Sequence, residues 1–324
     1  MAFAALHSPQ EWRHRFGADK RPAAVAVGNF DGVHLGHREI LDRVSQDAVQ
    51  SNGRSVAITF DPHPLRVLRP AQAPPLLMTL PQRLAAIEAE GIDAALVLEF
   101  NATLQHMSPE DFVREILIET LNSRSVVVGE NFRFGYGHAG DVDLLIELSM
   151  EHDFSVKCIP PVVRRGTTVS STAIRNAVRE GAVVRAGRML GRPFTLGGEI
   201  QPGHGQGRRV LVPTLNLRTE QELLPKNGVY ATEVVVGGQL HRAVTNIGVR
   251  PTFGGGDISV ESFIFDFNSD ITAGPMEVRF WRRLRDEMKF PGPEELRRQI
   301  QRDERRARQF FRLLDKFSLK KQSA

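Results

Sequence analysis

Cysteine is almost absent: Cys158 is the only one in 324 residues. That excludes an internal disulfide and a cysteine-rich zinc site, and makes a reducing cytoplasm the expected setting. No apolar run approaches the roughly 20 residues that span a bilayer. The first residues, MAFAALHSPQEWRHRF, lack a cationic stretch followed by an apolar one, so a secretory signal is not expected. No G-x-x-x-x-G-K-[ST] occurs anywhere, so an ATP site in this chain is not a P-loop, and H-E-x-x-H is missing too. Charge of one sign is also scarce, with 42 Lys and Arg against 38 Asp and Glu, a net of +4. Much of the basic excess lies between Arg282 and Lys321, interleaved with Glu294, Glu295, Asp303, Glu304 and Asp315. Leu296, Ile300, Phe310, Leu313 and Leu314 recur there at roughly helical spacing, which reads as an amphipathic helix with a solvated basic face rather than a nucleic-acid surface.

The chain is long enough for two domains, and its pattern changes midway. In the first half, β-type runs (Ala23–Gly28, Ser55–Phe60, Ala94–Leu98, Ser125–Val128, Phe154–Ile159) alternate with helical stretches. Thr79 before Pro81, and Ser108 before Pro109, Glu110 and Asp111, are helix starts. This alternation predicts βαβ units and a mostly parallel, Rossmann-like sheet. From about Phe194, short β-type segments (Val210–Val212, Val229–Val236, Ala243–Ile247, Ser259–Phe267, Met276–Phe280) lie between Gly- and Pro-rich turns. They predict a small antiparallel barrel closed by the C-terminal helix. The expected domains are 1–186 and 187–324.

The richest stretch is GNFDGVHLGHRE, Gly28 to Glu39. It follows a buried-type strand and opens a helix, which puts it at the carboxyl edge of the sheet, where ligands bind. Gly28, Gly32 and Gly36 allow close backbone approach. The helix start offers free N–H groups and a positive dipole end to a phosphate, and His34 and His37 can face the same anion. Two histidines three apart could instead bind a metal, or cap and pack a helix. The coincidence of strand, glycines, histidines and helix start favours a nucleotide loop. Gly135–Gly140 fits G-x-G-x-x-G, but five residues separate it from the preceding strand, so a dinucleotide site is not expected there.

H-x-G-H resembles the signature of the nucleotidyltransferase superfamily, and nothing like the second, lysine-rich motif of its aminoacyl-tRNA ligases occurs. The longer string GNFDGVHLGH resembles the adenylyltransferase module of the prokaryotic bifunctional riboflavin kinase/FAD synthetase family. Thr59–Pro64 (TFDPHP), Val128–Gly135 (VGENFRFG) and Ser170–Arg175 (SSTAIR) match its further segments in order. In the second half, Pro213–Asn216 (PTLN), Asn246–Phe253 (NIGVRPTF), Val260–Phe267 (VESFIFDF) and Arg285–Phe290 (RDEMKF) resemble its kinase motifs. Two stretches depart from that pattern: Leu211-Val212 stands where Gly-Phe is usual, and Ile271–Gly274 where Leu-Tyr-Gly is common.

The resemblance implies an enzyme that phosphorylates riboflavin to FMN and then adenylylates FMN to FAD, using ATP and Mg²⁺. It implies that His34 and His37 act in adenylyl transfer, with Gly28, Asn29, Phe30, Asp31, Gly32, Asn131, Ser171, Thr172 and Arg175 on ATP. It implies Glu261 as the kinase base, Thr214 and Asn216 as metal ligands, and Arg285 and Phe290 on the flavin side. The partners implied are small molecules, with no nucleic acid and no membrane, and a monomer or weak homo-oligomer. Another H-x-G-H nucleotidyltransferase would leave the barrel unexplained, and an inactive flavin- or nucleotide-binding regulator would have no need of both chemical sets. The two nucleophiles differ. FMN's phosphate is already ionised near neutral pH and needs no base, whereas riboflavin's hydroxyl must lose a proton.

Overall fold

Ala23–Val27 is alanine and valine throughout and buried at every position, as a central parallel strand must be. In the computed structural model, which describes residues 2–201, 214–250, 257–267 and 271–322, it is the second of six strands in one sheet. These are β1 (Ala4–Leu6), β2 (Ala23–Val27), β3 (Arg54–Asp61), β4 (Ala94–Glu99), β5 (Ser123–Gly129) and β6 (Ser155–Ile159). Their order is β1-β4-β3-β2-β5-β6, and every pairing is parallel. Alternate residues feed the two faces: Val25, Val27, Val56 and Ile58 join one core. Ala24, Ala26 and Ala57 join another, against Ile40, Leu41 and Val44 of the helix Leu35–Gln50. Strand order reverses between β2 and β5, so a crevice opens outside their carboxyl ends.

The expected helix starts are present. Thr79 and Gln82 form a reciprocal capping box at the head of Leu80–Ala89. Ser108 accepts the Asp111 amide at 3.0 Å, after which Phe112–Thr120 winds as a π-helix. The edge strand β1 and the helix Pro9–Phe16 have no counterpart in the sequence reading. β1 spans three residues, too few for a periodicity to register.

The second unit is a closed antiparallel barrel of β9 (Phe194–Gln201), β10 (Leu215–Arg218), β11 (Gly228–Val236), β12 (Gln239–Arg250), β13 (Asp257–Ile264) and β14 (Pro275–Arg285), in the order β10-β13-β12-β11-β14-β9. β9 pairs with β10 to close it. Three buried hydroxyls, of Thr232, Thr245 and Ser262, satisfy one another at 2.7 and 2.8 Å across β11, β12 and β13. The outer face of β11 and β12 is covered by the helix Pro293–Gln322, through Ala307 and Phe311 against Val229, Ala231 and Val244. The two compact units meet between Ser171 and Thr172, earlier than the boundary expected at Gly187. Gly187 lies inside the helix Val183–Leu190, whose Val183, Ala186, Met189 and Leu190 are buried. The β-segment expected at Val210–Val212 and the Leu211-Val212 departure lie outside the described residues. At the other departure, Gly274 has φ +111°, so a glycine is retained where the backbone needs one.

Candidate functional sites

The loop leaving β2 is strained and tightly held. Phe30 and Val33 have φ of 48° and 38°, and Gly32 has 92°. Positive φ is unusual for phenylalanine and an outlier for a β-branched residue, and it costs on the order of 1–3 kcal/mol at each such position. Burial compensates, since neither Phe30 nor Val33 exposes any surface. The buried Asp31 carboxylate accepts the amides of Leu77 at 2.9 Å and Met78 at 3.2 Å. Phe30 and Asp31 therefore turn their side chains into the protein. The Ser171 hydroxyl donates to the Asp31 carbonyl at 2.9 Å, binding the end of the first unit to this loop.

His34 ends the loop as N-cap of Leu35–Gln50, its Nδ1 accepting the His37 amide at 3.2 Å. The two imidazoles stack with centroids 3.6 Å apart and planes 14° from parallel. Phe30 abuts His37 edge-on at 5.2 Å. Gly36 makes the arrangement fit, because a Cβ there would stand 3.3 Å from the His34 ring. The structure thus joins both histidines, the helix start and the glycine loop in one cluster.

Beside that loop, at the carboxyl ends of β2, β3, β4 and β5, lies a cavity of about 810 Å³. Val27, Gly28, Asn29 and the exposed Asn131 line it, and its apolar wall is Phe60, Phe100, Met107, Phe112, Phe132 and Phe134. His63, Arg69, Arg133 and His138 add basic groups at its border. Most of this wall was not singled out from the sequence as site residues. Their signal lay in the motif segments TFDPHP and VGENFRFG, whose aromatics read equally well as core. The rejected glycine pattern has a part here too, since Gly135, Gly137 and His138 border the cavity, with φ of 71° and 63° at the glycines.

Thr172 and Arg175 stand on the helix Ser171–Arg179, which belongs with the second unit apart from its first residue; Arg175 is buried.

In the barrel, the register assembles residues far apart in sequence. Asn216 pairs with Glu261, Glu261 with Asn246, Asn246 with Val229, and Val229 with Arg285. Directly paired residues share a face, so these five form one row around the outer surface, opposite in sense to the inward Ser262 and Thr245. Thr214 is exposed, just before β10. Glu287 folds back over the row, its Oε1 only 2.3 Å from where a Cβ on Gly248 would sit. Arg285 donates through Nε to the buried Asp303 at 2.9 Å and lies 5.8 Å from the Phe290 ring centroid. It anchors the C-terminal helix as well as bordering the row. The side chain of Arg250 and residues Pro251–Phe253 of the NIGVRPTF segment lie outside the described residues.

The two halves match two families: residues 17–173 match FAD synthetase, and residues 190–311 match riboflavin kinase. A bifunctional riboflavin kinase/FMN adenylyltransferase of Pseudomonas fluorescens is 36% identical over 91% of this chain and 95% of its own. That of Escherichia coli K12 is 33% identical over 91% of this chain and 95% of its own. The chain belongs to the bifunctional riboflavin kinase/FMN adenylyltransferase family. A solved structure, of a macrolide-efflux protein from Streptococcus pneumoniae, has the same fold, with a TM-score of 0.82 and 28% identity over 95% of this chain and 99% of that one. As in the expected fold class, a parallel-sheet nucleotidyltransferase unit precedes an antiparallel barrel with a terminal helix. Among the described residues no helix is long and apolar enough to cross a membrane.

Proposed function

We propose how this chain divides the two activities of its family, riboflavin kinase and FMN adenylyltransferase, between its two motif sets: adenylyl transfer in the domain of the parallel sheet and phosphorylation in that of the barrel. The observation that carries the kinase half is the register pairing of Asn216 with Glu261, two motif residues brought face to face by β10 and β13. Glu261 accepts the proton of riboflavin's terminal hydroxyl as that oxygen bonds to the γ-phosphorus of ATP and ADP departs. Thr214 and Asn216 carry oxygen donors of the kind Mg²⁺ takes, and they would hold it here. When bound, the ion supplies positive charge to the phosphates being transferred. Arg285 and Phe290 border the flavin.

In the first half, an FMN phosphate oxygen attacks the α-phosphorus of ATP and pyrophosphate leaves. The nucleophile arrives as an anion, so the protein's task is alignment and neutralisation of charge. His34 and His37 do this from the helix start, with the backbone of Gly28–Gly32. Asn131, Ser171, Thr172 and Arg175 are assigned to ATP from their motifs. The aromatic wall of the cavity has the size and apolarity to take the flavin ring, which neither motif set had suggested. A cytoplasmic setting and a monomeric or weakly associating chain complete the proposal; they rest on the single cysteine and the small-molecule substrates.

The test is incubation of the protein with riboflavin, ATP and Mg²⁺, followed by chromatographic separation of the flavins. FMN should appear first and FAD after it. Absence of FMN would sink the kinase assignment, and FMN without FAD the adenylyl assignment.

A further inference from the structure

Arg83 is the largest fully buried side chain of the described residues, only 2% exposed. It stands on the helix Leu80–Ala89, and none of the motifs includes it. Its Nη1 donates to the Asn29 carbonyl at 2.8 Å, to the Phe60 carbonyl at 3.1 Å and to the Thr59 hydroxyl at 3.1 Å. Thr59, itself wholly buried, donates in turn to the Asn29 carbonyl at 3.1 Å. Asn29 opens the glycine-histidine loop after β2, and Phe60 is the second residue of the TFDPHP segment and the last but one of β3. Both residues line the cavity.

Burying a guanidinium is costly, and packing alone would be served better by an apolar side chain of the same volume. The nearest carboxylate, on Asp61, is 3.6 Å from Nη2, and neither Nη2 nor Nε makes a hydrogen bond. Burial pushes the guanidinium below its usual pKa, with the charges of Asp61 and Asp31 acting against that shift. All the hydrogen bonding is thus concentrated in one nitrogen, where the loop after β2 meets the end of β3.

We propose that Arg83 is a positioning residue for adenylyl transfer, which fixes the loop after β2 to the carboxyl end of β3 at the border of the cavity. The same helix reaches the loop after β2 a second way, because Asp31 grips Leu77 and Met78 immediately before its capping Thr79. The loop is therefore clamped at Asn29 and at Asp31 from one rigid element. Because one nitrogen carries all three contacts, lysine, whose ammonium group has three hydrogens but ends one bond short of Nη1, should restore part of what an apolar residue loses. The inference rests on adenylyl transfer taking place at this cavity.

The experiment uses the full-length chain as wild type, Arg83→Met, Arg83→Lys and Thr59→Val. FMN adenylylation is measured with ATP and FMN varied, and riboflavin phosphorylation in the same preparations reports on the other unit. Misplacement of a reacting group by about 1 Å can cost on the order of 100-fold. Arg83→Met should lose about that much in kcat/KM, with KM raised for both substrates and the kinase unchanged. Arg83→Lys should fall between wild type and Arg83→Met, and Thr59→Val should lose a few-fold to about tenfold, in the same direction. A folded Arg83→Met with wild-type kcat/KM would overturn the inference. So would an Arg83→Lys as poor as Arg83→Met, or a loss confined to kcat that tracks the unfolded fraction by circular dichroism. If Arg83→Met does not fold, a fully active Thr59→Val overturns it in the same way. A wild-type protein that makes no FAD would instead remove the underlying assignment, and the inference with it.

Discussion

Glu261→Gln separates the two chemistries within one polypeptide. Glutamine keeps the volume of the side chain and its capacity to hydrogen-bond, but it cannot take up a proton. Glu261 is half-buried on the outer face of β13, between Asn216 and Asn246. Its neighbours Val260 and Ser262 point the other way, into the barrel, and are 2% and 0% exposed. The interior packing and the Thr232–Thr245–Ser262 hydroxyl chain are left intact, so stability should change by no more than about 0.5 kcal/mol. General-base catalysis typically contributes about two to four orders of magnitude, which is roughly 3 to 5 kcal/mol of transition-state stabilisation at 1.36 kcal/mol per decade. Riboflavin phosphorylation should fall by that factor, and in kcat far more than in KM, because binding contacts are retained. FMN adenylylation should be unaffected, since its nucleophile needs no base. The assay is steady-state kinetics of each half-reaction, with riboflavin or FMN supplied separately. A fully active Glu261→Gln kinase would refute the base assignment. Equal losses in both half-reactions would refute the independence of the two sites.

Replacing His34 and His37 together by alanine should abolish FAD formation from FMN and leave riboflavin phosphorylation largely intact; failure of both steps in a folded protein would speak against separate sites. A fragment beginning at Thr172 should fold and make FMN but not FAD. One beginning at Gly187 lacks the buried Val183 and Ala186, and should be less stable by about 1.5–3 kcal/mol, as read by denaturant unfolding. Acid should weaken the first unit through Asp47. Burial alone would raise its pKa, but hydrogen bonds from Lys157 and Ser125, both at 2.5 Å, and the charges of Lys157 and Arg43 lower it overall. A carboxyl depressed on folding stabilises the native state above its unfolded pKa of about 3.9, and that stabilisation is lost as pH falls through the folded value. Asp47→Asn should therefore flatten the pH dependence of urea unfolding below about pH 4, and an unchanged profile would exclude this pair as its source.

Much of the architecture was legible because it depends on local patterns. The buried run at β2, the caps at Thr79 and Ser108 and the alternation in the first half each carry their own signal within a few residues. So does the cluster of His34, Gly36 and His37, whose members are neighbours on one helix turn. Spacing alone could put Thr214 and Asn216 two apart, but not Glu261 opposite Asn216, because pairing across β10 and β13 is a matter of register. Asp31 was assigned to ATP from its motif, and its carboxylate also anchors Leu77 and Met78, forty-odd positions on in the chain. Arg285 looked like a flavin contact and also holds the buried Asp303 of the terminal helix. Helix Val183–Leu190 belongs with the barrel only because its apolar stripe packs there, which no change in composition announces. Arg83 had no motif at all, and its significance comes from three acceptors contributed by residues 29, 59 and 60. The sequence alone determined most of the strands and helices and the nucleotide loop, since those follow from short-range periodicity and capping, while β1 and the helix Pro9–Phe16 carried no such signal. Only the tertiary structure decided which polar groups face a ligand and which face one another, because burial and hydrogen-bond partnership are set by residues distant in the chain.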